Sequence, residues 1–234
     1  MSDLNTETTA PSSATKALPD WLPYVAPMAL FLLLTFAEGK TPKEWYVAVY
    51  GVKAALVTAA LFIFSRTWRH EIKPDLRVLP VAVFVGLFVF AEWILLDKWI
   101  PYPHLGARTA YNPFSAIEDP LLRYGFFALR FYGLVLMVPL MEEIFWRSFL
   151  LRFVTDLDDF KRIPIGAYNA TAFFVVAAMF ALSHTEWLVA FVCAAAYAFL
   201  LRITRSVFAC VVAHAVTNLA LGIYVVTTGD WKYW

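Results

Sequence analysis

Of 234 residues 61% are apolar, about 143 side chains, and seven membrane spans of about 20 residues would use about 140 of them. Only 16% are charged and the mean hydropathy is +0.65, which excludes a soluble fold, because a domain of this size still leaves a large area in water. The net charge of +1 offers no basic surface for nucleic acid.

Residues 1–20 are polar and rich in Ser, Thr and Ala, without a basic start leading into an apolar core, and read as a disordered tail, not a signal peptide. Seven apolar stretches follow: Trp21 to Phe36, Trp45 to Phe64, Leu79 to Leu96, Leu121 to Leu151, Tyr168 to Ser183, Trp187 to Leu201 and Val207 to Thr227. They are apolar all round, without the alternation of about 10-residue barrel strands. The pattern predicts an all-α, polytopic transmembrane helical bundle of about seven spans, forming one domain over residues 21–234. Cys193 and Cys210 lie in apolar runs and imply neither a disulfide framework nor a redox pair.

The links between spans alternate between two faces. On the N-terminal face lie Lys16, Arg66, Arg69, Lys73, Arg77, Arg152, Lys161, Arg162, Arg202 and Arg205; on the other lie Lys40, Lys43, Lys98, Arg108, Arg123 and Lys232. The excess of basic residues predicts a cytoplasmic N-terminus. The fifth and sixth stretches are short, and a merged pair there would reverse the C-terminal half.

Charged side chains in lipid cost at least about 2.5 kcal/mol each, so those inside spans need a reason. The fourth stretch contains Met141-Glu142-Glu143-Ile144-Phe145-Trp146-Arg147. Glu143 and Arg147, at i and i+4, stack as an ion pair, while Glu142 points about 100° away and is left free. A buried carboxylate without a cation suits a general base; the bland alternative is a hydrated cluster at the helix end. Phe180 with His184, and His214 with Asn218, each fall on one helix face. Either pair could be hydrogen-bonded structure or interhelical glue. Jointly the three sites supply a base for water, donors for an oxyanion and an acid for a leaving amine. Neither GxSxG nor HExxH occurs. Glu142, His184 and His214 could equally form a three-ligand zinc shell.

These motifs, in this order, resemble the CAAX-protease and bacteriocin-processing (CPBP, or ABI) family, which includes the type II CAAX prenyl endopeptidases. Its pattern of Glu-Glu-xxx-Arg, Phe-xxx-His and His-xxx-Asn is matched by Glu142, Glu143 and Arg147, by Phe180 and His184, and by His214 and Asn218, within residues 121–227. Ser148 stands where family members usually carry Gly, so close helix packing there is expected to differ. The stretches Trp146 to Leu150 and Thr228 to Trp234 are similar to a bacterial subgroup found alongside exosortase protein-sorting systems. The resemblance implies an intramembrane endopeptidase of a bacterial inner membrane, acting on a membrane protein or lipidated peptide. In it Glu142 and His184 activate water, His214 and Asn218 form the oxyanion site, Arg147 holds Glu143, and Phe180 supports the site. No cofactor is favoured, because the amide of Asn218 suits an oxyanion better than zinc.

Two other readings use the same residues: a transporter or proton relay through Glu92, Arg130, Glu142 and the histidines, and a silent scaffold or immunity-type protein. The absence of paired repeats with matching helix breaks counts against the first. Helical rise sets one condition on the site. Glu142 lies about 15 Å below Arg152 and His214 about 11 Å below Val207, but His184 lies about 24 Å below Tyr168, so the fifth helix must start deeper than Tyr168 or tilt.

Overall fold

A computed structural model of the chain describes residues 18–106 and 110–234. The expected tail therefore falls, up to residue 17, outside the described residues, as does Arg108. Each apolar stretch becomes a helix: α1 (Leu22–Glu38), α2 (Tyr46–Trp68), α3 (Leu79–Trp99), α4 (Pro120–Thr155), α5 (Ala170–Leu182), α6 (Trp187–Thr204) and α7 (Val207–Thr228). No strand occurs among the described residues. Five helical segments are long and apolar enough to cross a membrane, whereas α1 has 17 residues and α5 only 13. Many outward side chains, Phe62, Phe84 and Phe199 among them, are apolar and exposed, as a lipid-facing surface requires.

Local chemistry sets the helix starts. Asp119 accepts from the amide of Leu122 at 2.7 Å and Pro120 occupies the first turn of α4, where its missing N–H costs nothing. Asn169 caps α5 through the amide of Ala172 at 3.0 Å, and Ser206 caps α7 through that of Ala209 at 3.2 Å.

These ends meet the depth condition. With α4 running to Thr155 and α5 starting at Ala170, Glu142 and His184 both lie about 20 Å from the link joining the two helices. The fourth helix runs four residues past the expected end at Leu151 and the fifth starts two residues after Tyr168, and both shifts narrow the mismatch. The link covers the α6–α7 turn: Gly166, with φ of +78°, leaves 2.7 Å between the position of a Cβ and the carbonyl oxygen of Leu201. His214 is thereby set deeper than its distance from Val207 alone suggests.

The centre of the bundle is the contact of α3 with α7. A Cβ on Gly86 would lie 2.5 Å from the carbonyl oxygen of Ala213 and 2.8 Å from Cβ of Val216, so only glycine permits the approach. The hydroxyl of Thr217 lies 2.8 Å from the Gly86 carbonyl and 2.7 Å from the hydroxyl of Tyr197, tying α3, α6 and α7 one turn from His214. Gly86→Ala should force the two helices apart and cost about 1–3 kcal/mol. Thermal unfolding in detergent checks this, and an unchanged midpoint would show that the helices have slack.

Helix α4 is not uniform. Residues Gly133–Met137 and Ile144–Leu150 are π-helical, and in the first of these the amide of Val138 bonds to the carbonyl of Gly133. The next amide in that register belongs to residue 139, and Pro139 has none, so the carbonyl of Leu134 is left without a backbone donor. The side chain of Asn218 supplies it, with Nδ2 donating at 2.8 Å.

Candidate active site

Glu143 is fully buried and holds two partners. Its Oε2 lies 3.2 Å from Nε of Arg147, the i, i+4 pair expected from the spacing, and its Oε1 lies 2.8 Å from Nδ1 of His214. The guanidinium of Arg147 sits over the rings of Phe180 and Tyr197, at 4.9 and 5.4 Å from their centroids. Glu142, also buried, has no hydrogen-bond partner for Oε2. The adjacent glutamates thus differ as a 100° turn requires, and a cluster simply hydrated at a helix end does not describe them.

His184 lies in the turn just after α5. Its ring stacks on Phe180 at 4.5 Å, and Nδ1 lies 2.8 Å from the Phe180 carbonyl oxygen. Carbonyls and carboxylates only accept, so Nδ1 carries the proton in both His184 and His214. In the neutral rings Nε2 is therefore a lone pair. For His214 this qualifies the oxyanion role implied by the family resemblance, since with the proton on Nδ1 a neutral ring presents Nε2 as an acceptor and not a donor. Asn218 commits one N–H to Leu134 and retains a second.

Glu142, His184, His214 and Asn218 line one cavity of about 150 Å³, together with Cys193, Tyr197 and Thr217. Arg130, Glu142 and His184 also border a second cavity of about 580 Å³. Among the described residues no three His, Cys, Asp or Glu side chains are placed to hold one metal ion. Glu92 is buried with both carboxylate oxygens without a hydrogen-bond partner.

Sequence reasoning missed the His214–Glu143 bond, the Asn218–Leu134 bond, and Tyr233 and Trp234, which line the smaller cavity. Pro139, five residues after Leu134, was the one local signal. Ser148, in place of the usual Gly, is used structurally: its hydroxyl donates to Glu71, and Nη2 of Arg152 lies 3.1 Å from it.

A helical membrane protein with a carboxylate, two imidazoles and an amide converging in its interior is the class that fold and site define. Residues 124–220 match the family model described as Type II CAAX prenyl endopeptidase Rce1-like, so that segment is similar to this family. The match covers under half of the chain, and the family is one of membrane proteases. No curated protein and no solved structure matches the chain.

Proposed function

We propose that the chain is an intramembrane endopeptidase that hydrolyses a peptide bond of a membrane-associated polypeptide, lipidated or handled by an exosortase-type sorting system. It resides in a bacterial inner membrane with its N-terminus in the cytoplasm. The observation that carries the reading is the single cavity shared by Glu142, His184, His214 and Asn218, with Oε2 of Glu142 unpartnered. Water between Glu142 and Nε2 of His184 gives a proton to Glu142 as its oxygen adds to the carbonyl carbon. The carbonyl oxygen, now negative, takes the second N–H of Asn218 and, while the ring is doubly protonated, Nε2–H of His214. Collapse breaks the C–N bond, and the leaving nitrogen takes the proton held by Glu142.

The test is purified protein in lipid with membrane-anchored substrates, read as kcat and KM. Asn218→Ala should lower kcat by about a hundredfold to a thousandfold at nearly constant KM, because the donor acts in the transition state. It also orphans the Leu134 carbonyl, at a cost of about 1–3 kcal/mol in stability. Bound zinc below one per chain is expected by elemental analysis of active protein. Stoichiometric zinc lost with activity in His184→Ala and His214→Ala would make the histidines ligands instead. A scaffold would yield no product that depends on any of these residues.

A further inference from the structure

We infer that the reaction centre is served from the side of the membrane opposite the cytoplasm, and that its substrate is an exported polypeptide cut beside its membrane anchor. The inference rests on the peptidase reading for the reaction and on separate observations for the side.

The cavity of about 580 Å³ begins at Glu142 and His184 and reaches Gly39, Thr41, Lys43 and Tyr111. These last four lie in the α1–α2 turn and the α3–α4 link, at one end of the bundle. The same end holds the α5–α6 turn, since Trp187 Nε1 donates to the Pro103 carbonyl at 2.8 Å and the amide of Leu105 donates to the Thr185 carbonyl at 2.9 Å. The rings of Tyr46 and Tyr111 meet there, tilted at 39°, with centroids 4.4 Å apart. Because α5 stops after 13 residues, this turn is recessed, which puts His184 on the cavity wall rather than at the surface.

The other end is plugged. Both carboxylate oxygens of Glu71 lie 2.9 Å from Nη2 of Arg152, and Glu71 also accepts from Ser148 and, at 3.1 Å, from Tyr24. Glu71, on the α2–α3 link, thereby joins α1 to the end of α4. Phe160 packs edge-on against Tyr24 at 5.3 Å and against Phe149 at 5.0 Å, and Lys161 pairs with Asp20 at 2.9 Å.

The plugged end carries Arg66, Arg69, Lys73, Arg77, Arg152, Lys161, Arg162, Arg202 and Arg205 among the described residues, and the open end only Lys40, Lys43, Lys98, Arg123 and Lys232. An excess of Lys and Arg in short links marks the cytoplasmic side. Water and substrate therefore reach Glu142 from the far side. A polypeptide arriving there while still anchored presents its membrane-flanking segment at the depth of a centre recessed in the bilayer.

Two measurements test this. Single cysteines are placed at exposed positions that leave the basic residues untouched, Glu44→Cys at the open end and His70→Cys at the plugged end, with the parent protein and its buried Cys193 and Cys210 as background. A membrane-impermeant maleimide applied to intact spheroplasts should label Glu44→Cys and spare His70→Cys until the membrane is permeabilised. The reverse pattern overturns the inference and leaves the peptidase reading standing. Co-expressed single-span reporters, with ten randomised residues flanking the anchor on either the outer or the inner side, are scored for release that Glu142→Gln abolishes. Release from the outer flank is expected. Release from the inner flank alone overturns the inference, and release from neither removes both the substrate class and the peptidase reading.

Discussion

Glu142→Gln should lower turnover by at least about a hundredfold, the smaller end of what a positioned general base contributes, in a protein that still folds. The amide matches the carboxyl in shape and leaves the neighbouring pairs of Glu143 in place, but it cannot take a proton from water. Nothing donates to Oε2 of Glu142, so the change removes no hydrogen bond that the fold relies on there. The Phe180–His184 stack and the Glu143–His214 bond should persist. Turnover in folded Glu142→Gln at the parent rate would take Glu142 out of the chemistry and turn attention to Nε2 of His184 as the base.

The largest effect on stability is expected at the adjacent pair. Arg147→Ala strands a fully buried carboxylate whose remaining partner is a histidine, and Glu143→Ala strands a guanidinium whose Nη1 and Nη2 already lack partners. Each single change should cost about 3–5 kcal/mol. The double change should cost less than the sum of the two, with a coupling of about 0.5–3 kcal/mol. Additive losses, measured by denaturation in mixed micelles, would show that the pair contributes only as two separate side chains. Glu143→Ala should also reduce turnover more than Arg147→Ala, since it alone removes the acceptor that fixes the His214 ring.

Those two experiments bear on features of unequal visibility in the sequence. The seven helices could be read because each is a long apolar run closed by charge or proline, and the Glu143–Arg147 pair because i, i+4 spacing on a helix leaves little choice. The bonds that complete the site could not, because they join residues 71 apart for His214 and Glu143 and 84 apart for Asn218 and Leu134. Periodicity reports which face a side chain occupies, not which helix meets it. The need for a deeper start of α5 could be read from helical rise but its position could not, because hydropathy does not distinguish Tyr168 from a helix residue, whereas the cap by Asn169 does. The π-helical register of α4 was hidden as well, although Pro139 made some local rearrangement necessary.

The brevity of α5 also bears on the surrounding lipid. Thirteen residues rise about 20 Å, against a hydrocarbon core about 30 Å thick, and the outer side of the helix is apolar through Phe174, Met179 and Leu182. Acyl chains beside that face must shorten or splay to match it, so the bilayer is pinched next to the recessed turn that carries His184. A pinched annulus brings headgroups and water nearer to buried depth on one side of the protein only. It thereby shortens the distance over which an unfolded, hydrogen-bond-hungry stretch of backbone would have to be drawn out of lipid to reach Glu142.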